Sequence, residues 1–220
     1  MPRRPWHAEP VNQGPDYAAY AAKMRHLAVS GGDLEVDARF VDMLSSRQAR
    51  ILDVGCGIGS AVGALRHRGH LAYGVDPTDA VLAVAGDLFD PSWFQRLGAG
   101  DISAAALREV GLPAAYDLVL MSGNVPAFLT DAALATTFQQ IASVLNPGGG
   151  LVVGTSTKAR GGPKQQDLAA AGTGLALMHR YSDWHLGPFC EDSPWSVSVF
   201  ANAGSRQAAE GPDGIFVLGS

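Results

Sequence analysis

The sequence predicts an α/β domain: a doubly wound, mostly parallel sheet of seven strands with helices on both faces, finished by a C-terminal antiparallel hairpin. Three observations carry that expectation. Apolar runs of strand length alternate with stretches of helical periodicity from Ile51 to Thr155, the pattern that lays parallel strands between crossover helices. The first run ends in a glycine turn, "DVGCGIG" (Asp53–Gly59), directly before a helical stretch. The last two runs, "GLALMHRYS" and "WSVSVFA", have no helix-length segment between them, so they pair antiparallel.

The elements follow in order. Tyr17, Tyr20, Ala21, Met24 and Ala28 fall at helical spacing, with Asp16 as N-cap and "SGGD" (Ser30–Asp33) as the stop. A second helix, Leu34 to Ser45, places Val36, Phe40 and Leu44 on one stripe. Ile51–Val54 is a short buried strand and Ser60–Arg68 a helix closed by Gly69. Leu71–Val75 is the next strand, and Thr78–Ala85 a helix capped by Thr78. A weak strand is expected around Arg96–Ile102, ending near Gly100-Asp101. "YDLVLM" (Tyr116–Met121) is a buried strand, Asp131–Leu145 a helix stopped by "NPGGG", and "GLVVGT" (Gly150–Thr155) a further strand. The loop "STKARGGPKQQD" (Ser156–Asp167) is polar and basic, and reads as a connection or a mobile lid.

Composition narrows the class. At 220 residues and 47% hydrophobic, the chain suits one well-cored domain. A net charge of −5 argues against a nucleic-acid partner, whose phosphates call for a basic face. Arg66-His67-Arg68 stands at a helix end, where basic groups complement the dipole. Cys56 lies inside the glycine turn and a disulfide there would obstruct a ligand, so with Cys190 it implies reduced thiols and a cytoplasmic setting. The first fifteen residues lack an apolar core segment, no run of eighteen apolar residues occurs, and neither a signal peptide nor a membrane span is expected. His67 and His70 lack a third ligand nearby in sequence, so no metal site is expected. Neither a Gly-x-Ser-x-Gly elbow nor a phosphate-binding P-loop appears.

In an open parallel sheet the ligand site lies beyond the carboxyl ends of the strands, at the switch in strand order. Glycine permits positive φ and close backbone approach there, and the next helix offers free N–H groups. A dinucleotide turn would need glycine at position 60, where Ser60 stands. The spacing Asp53-Val54-Gly55-Cys56-Gly57-Ile58-Gly59 instead resembles the nucleotide-binding motif of the class I S-adenosylmethionine-dependent methyltransferases. Further stretches agree with that resemblance: Asp76 ending the second strand, Gly100-Asp101-Ile102, "YDLVLMSGNVPAFL", "VLNPGGGLVVGT" and the final hairpin. The resemblance implies a Rossmann-like methyltransferase domain over residues 34–201, preceded by an N-terminal extension and lid helix over 1–33. The tail, 202–220, is left without a structural assignment.

The resemblance also implies which residues hold the donor, S-adenosylmethionine, and its product S-adenosylhomocysteine. Asp53, Gly55, Cys56, Gly57 and Gly59 would receive the amino-acid end, and Asp76 with Pro77 the ribose. Asp101 and Ile102 would receive the adenine, and the backbone of Ser122 and Gly123 the methionine portion. Methyl transfer depends on positioning and requires a base only where the acceptor must lose a proton. Asn124 is the first acceptor-side candidate, followed by Tyr20, His26 and His185; Tyr17 and Tyr20 serve packing equally well. "SGNVP" lacks the Asn/Asp-Pro-Pro-aromatic pattern of amide and adenine N-methyltransferases, which disfavours exocyclic-nitrogen targets and leaves O-, N- or C-methylation of a small molecule open; a monomer or homodimer is expected. Two alternatives stand beside this one: the same fold methylating RNA or protein, and a non-catalytic donor-binding module. A nicotinamide dehydrogenase is disfavoured by Ser60 and by the terminal hairpin.

Overall fold

The computed structural model describes residues 16–202. The extended segment expected over residues 1–15 and the apolar stretch Ile215–Leu218 lie outside the described residues, as does the tail beyond Asn202.

Two helices, α1 (Tyr17–Val29) and α2 (Val36–Leu44), precede the sheet. The strands are β1 (Arg50–Val54), β2 (Leu71–Asp76), β3 (Phe94–Arg96), β4 (Tyr116–Met121), β5 (Leu145–Ser156), β6 (Leu175–Tyr181) and β7 (Trp195–Asn202). Between them run α3 (Ser60–His67), α4 (Asp79–Leu88), α5 (Ala104–Glu109), α6 (Asp131–Val144) and α7 (Pro163–Ala170). The sheet order is β3-β2-β1-β4-β5-β7-β6. The first five strands are parallel, and β7 inserts antiparallel between β5 and β6. The chain runs outward from β1 to β3 and returns to β4, so the switch point lies between β1 and β4, where the expected ligand edge is.

Strands buried on both faces read as continuous apolar runs. Accordingly Leu52, Val54, Val119 and Met121 enter one core with Phe138 and Ile141 of α6, while Ile51 and Leu120 enter the other with Val41 and Leu65 of α2 and α3. Phe138 and Phe200 meet edge to face at 5.5 Å, a geometry that adds to burial.

A small third cluster seats α1 over the carboxyl edge: Ala21, with Met24 and Ala28, packs against Ile58 and Val81. Arg25 adds an ion pair to Asp87 of α4 at 2.6 Å, with side chains 45% and 61% exposed. Exposed pairs contribute little. Arg25→Ala is therefore expected to cost less than about 1 kcal/mol in denaturant unfolding, because the apolar contacts hold α1. A larger loss would show that the ion pair, not the packing, seats this helix.

Four differences from the sequence reading have local causes. β3 covers Phe94–Arg96 rather than 96–102, because Gly98 to Asp101 turn into a 3-10 bend and Ile102 dives into the core. β5 begins at Leu145, five residues early, with a register shift opposite β4. Its entry is tied down where Asn146 Nδ2 donates to the Asp117 carboxylate at 2.7 Å. Helix α5 follows Ser103, whose hydroxyl accepts from Ala106 N–H. Finally, the polar stretch after β5 is anchored: α7 starts at Pro163, a residue suited to the first helical position, and the buried Gln166 donates to the Gly161 carbonyl at 2.8 Å. A Cβ on Gly161 would meet Pro126 of the loop after β4, so the two loops are packed together. Among the described residues no helix is long and apolar enough to cross a membrane.

Candidate active site

β1 ends at Val54 and the chain must turn sharply to start α3 at Ser60. Gly55 and Gly57 do this with φ of +75° and +54°, the left-handed region that L side chains avoid. Hydrogen bonds fix the turn: Gly55 N–H donates to the Val75 carbonyl at 2.7 Å, and Gly59 N–H to the Cys56 carbonyl at 2.9 Å. The two glycines differ in surroundings. A Cβ on Gly55 would strike the Val125 side chain, whereas one on Gly57 would meet nothing within 4 Å. Gly57 therefore presents bare backbone to open space.

That space is a cavity of about 300 Å³ at the carboxyl edge of the sheet, of the size of small-ligand sites. Its floor is Gly55, Gly57 and Asp76; one wall is Pro77, Thr78, Val81 and Ala99; the other is Gly123, Val125, Phe128 and Leu129; Tyr17 and Tyr20 of α1 close the top. Asp76 is 8% exposed. Its two carboxylate oxygens accept from Gly57 N–H at 3.1 Å and Thr78 N–H at 2.9 Å. Thr78 occupies the N-cap of α4 without a side-chain cap bond, so the Asp76 carboxylate takes one of the free N–H groups there.

Behind the floor, Asp53 is 3% exposed and its Oδ1 has no hydrogen-bond partner. Burial, then the carboxylates of Asp37 and Asp76, pushes its acid well above the usual carboxylate range. Asp37, in the first turn of α2, is raised by burial despite a hydrogen bond from the Ser122 side chain. Burial and then Asp76 raise the Tyr20 phenol above its ordinary value, so it is a donor rather than a base near neutrality. Burial and then Asp53 push the Cys56 thiol up, and its sulfur would contact a Cβ placed on Gly74, which makes it a packed group turned from the cavity.

Of the donor-site residues expected from sequence, the structure brings Gly55, Gly57, Asp76, Pro77 and Gly123 together on the cavity wall. Asp53, Cys56, Gly59 and Ile102 are buried, and Ser122 is half-buried beside Gly123. Asp101 is exposed, and Ala99, two residues earlier, lines the wall. On the acceptor side, Tyr20 lines the cavity, while His26 and His185 are exposed and do not. Asn124 turns its side-chain carbonyl toward β5, accepting from Thr155 Oγ1 at 3.0 Å and Ser156 N–H at 2.7 Å. It braces the two loops. Sequence reasoning passed over Val125, Phe128 and Leu129, although they stand in the same loop as Asn124. It also passed over Asp37, which in sequence is indistinguishable from an acid placed to suit a helix dipole. A larger depression of about 390 Å³ lies at the opposite edge of the sheet. The carboxylate on its wall, Asp117, is committed to Arg50 N–H and Asn146, and the glycine turn is absent from it.

The residues present fit S-adenosylmethionine: a side-chain-free cradle at Gly57, a buried carboxylate at Asp76 and an orphaned acid oxygen at Asp53. The comparisons agree. A family model described as "Methyltransferase domain" matches residues 51–149. No curated protein matches the sequence. Among solved structures, a TehB-like S-adenosylmethionine-dependent methyltransferase from Corynebacterium glutamicum is 27% identical, covering 84% of this chain and 97% of that one, with a TM-score of 0.74. The CcbJ methyltransferase from Streptomyces caelestis is 18% identical over 76% of this chain and 88% of its own, with a TM-score of 0.64. An S-adenosylmethionine-dependent methyltransferase from Clostridium acetobutylicum shares the fold at 9% identity, 84% and 99% coverage and a TM-score of 0.67. With the glycine turn, the sheet order and these likenesses in agreement, residues 51–149 match a methyltransferase domain and the chain is similar in fold and site to the class I S-adenosylmethionine-dependent methyltransferases.

Proposed function

We propose that this methyltransferase acts on a small, partly apolar acceptor received at the mouth of the cavity. One observation carries the reading: Tyr17, Tyr20 and Phe128 line the cavity while remaining 41%, 49% and 67% exposed. Aromatic rings left open beside a ligand cavity favour a planar or apolar partner. The net charge of −5 supports a metabolite over RNA.

In this reading Gly55, Gly57, Asp76, Pro77 and Gly123 hold the donor, with Asp53, Cys56, Gly59, Ile102 and Ser122 supporting them. When bound, the donor supplies an electrophilic methyl group on a sulfonium centre. The protein's own residues exclude water with Val125, Leu129 and the tyrosines, and fix the acceptor against the cavity mouth, which is the main lever for such a transfer. Tyr20 stays protonated and both histidine candidates are off the cavity wall, so the reading favours an acceptor whose nucleophile needs no base from the protein.

The test is incubation with labelled donor and separate small-molecule, RNA and protein fractions. Label is expected in the small-molecule fraction, and transfer to RNA or protein alone would overturn the proposal. Phe128→Ala is expected to raise the acceptor KM roughly fivefold, about 1 kcal/mol of lost apolar contact, with the donor Kd unchanged. An acceptor KM that stays put would remove Phe128 from the acceptor's path.

A further inference from the structure

Among the described residues three other than glycine have positive φ: Gln48, Asn124 and Leu186. Asn124, at +67°, is the one flanked on both sides by the cavity wall, between Gly123 and Val125. A side-chain-bearing residue in the left-handed region persists only where its surroundings hold it, and such positions gather at functional sites. Asparagine bears the cost better than most residues, but glycine would remove it altogether. The Asn124 side chain therefore contributes something that glycine cannot.

That contribution is a bridge. Asn124 Oδ1 accepts from the Thr155 hydroxyl at 3.0 Å and from Ser156 N–H at 2.7 Å, while its own N–H donates to the Gly154 carbonyl at 3.3 Å. The anchor is firm, since β5 lies between β4 and β7 and Thr155 is fully buried. On the other side, the Asn124 carbonyl accepts from Ala127 N–H at 2.9 Å and opens the 3-10 turn Val125–Phe128. That turn sets Val125 over Gly55 and leaves Phe128 exposed beside the cavity. A separate support lies behind it, where Pro126 rests on Gly161 and Gln166 holds the Gly161 carbonyl.

We propose that Asn124 is a positioning residue, whose bridge to β5 preorganises the loop from Gly123 to Leu129 as the wall against which the methyl donor binds. This rests on the donor lying in the cavity. It moves Asn124 from the acceptor-side candidates to the frame behind the wall, with no contact to either substrate. Without the bridge the loop samples other positions in the free protein, and binding has to order it first, which lowers affinity. The support at Pro126 keeps the turn folded meanwhile, so affinity falls while the fold stands.

Three variants separate the bridge from the backbone. Asn124→Gly removes the bridge and the left-handed cost together. Asn124→Asp keeps an oxygen for both accepted hydrogen bonds and tolerates the same φ. Thr155→Val removes one donor and leaves Asn124 in place.

Calorimetry with S-adenosylhomocysteine is expected to show binding weakened about fivefold in Asn124→Gly and about twofold in Thr155→Val, the range of one or two hydrogen bonds. Asn124→Asp should bind like the unaltered protein. In the Asn124→Gly background, Thr155→Val should cause no further loss, because its partner is already gone. Backbone amides of residues 123–129 should exchange with solvent faster in Asn124→Gly and in Thr155→Val, and at the native rate in Asn124→Asp. Unchanged affinity in Asn124→Gly, an Asn124→Asp that binds as weakly as Asn124→Gly, or losses that add in full in the double variant would each overturn the role of Asn124. Failure of the unaltered protein to bind S-adenosylhomocysteine overturns the donor's placement instead, a different pattern from failure of the bridge.

Discussion

Replacing Asp76 with alanine is expected to weaken S-adenosylhomocysteine binding by about 10- to 150-fold, the 1.5–3 kcal/mol of a hydrogen bond to a buried charged group. The expectation follows from where the carboxylate stands. It is 8% exposed, lines the cavity, and is fixed by Gly57 N–H and Thr78 N–H. A sugar diol placed against it meets an acceptor whose orientation is already set, so little ordering opposes binding. Fold stability should respond less than binding. Alanine leaves two N–H groups without their acceptor, which destabilises, but it also removes a charge that repels Asp53 and raises the Tyr20 phenol. These effects oppose each other in the free protein, whereas the loss to the ligand stands alone. Calorimetric titration decides the matter, and an unchanged Kd would remove Asp76 from the site. An optical titration gives a second check: the Tyr20 phenol should titrate closer to its ordinary value once Asp76 is gone.

The contrast between what was legible and what was not follows from the range of each signal. The parallel core could be read because its strands are largely buried on both faces and therefore rich in apolar residues, as at Ile51–Val54 and Tyr116–Met121, each interrupted by a single aspartate. Gly55 and Gly57 were legible because positive φ leaves few residue choices. Helix α7 was not, because KQQD carries no apolar period; its buried side chain is Gln166, satisfied by the Gly161 carbonyl rather than by apolar contact. Asp101 illustrates a register problem. Two glycines flank Ala99, the chain bends two residues before the acid, and a position that reads as a strand end becomes an exposed turn. Asp37 illustrates distance. It lies 16 residues before Asp53 in sequence, and only the packing of α2 against the sheet brings their charges together. Local pattern finds a residue that its own backbone requires. It does not find one required by charge contributed from elsewhere.

The second large effect separates the two glycines of the turn. Gly55→Ala is expected to destabilise the protein by about 2–5 kcal/mol, combining a left-handed backbone cost of about 1–2 kcal/mol with an overpacking cost of about 1–3 kcal/mol. Both parts are visible: φ is +75°, and the new methyl would strike the Val125 side chain. Because Val125 also lines the cavity, the displaced side chain should narrow the donor site as well. Adding Val125→Ala makes room for the methyl but leaves φ unchanged. The double mutant should therefore recover the packing part alone, with a coupling of about 1–3 kcal/mol in a double-mutant cycle. Gly57→Ala should behave in the reverse sense. Its φ of +54° costs the backbone term, yet nothing lies within 4 Å of the added carbon, so stability falls by only about 1–2 kcal/mol while donor binding suffers from a methyl in the open cradle. Denaturant unfolding and calorimetric titration of both variants give the order. If Gly55→Ala folds with native stability, or if Gly57→Ala costs the fold more than it costs the ligand, then the assignment of one glycine to packing and the other to the donor is wrong.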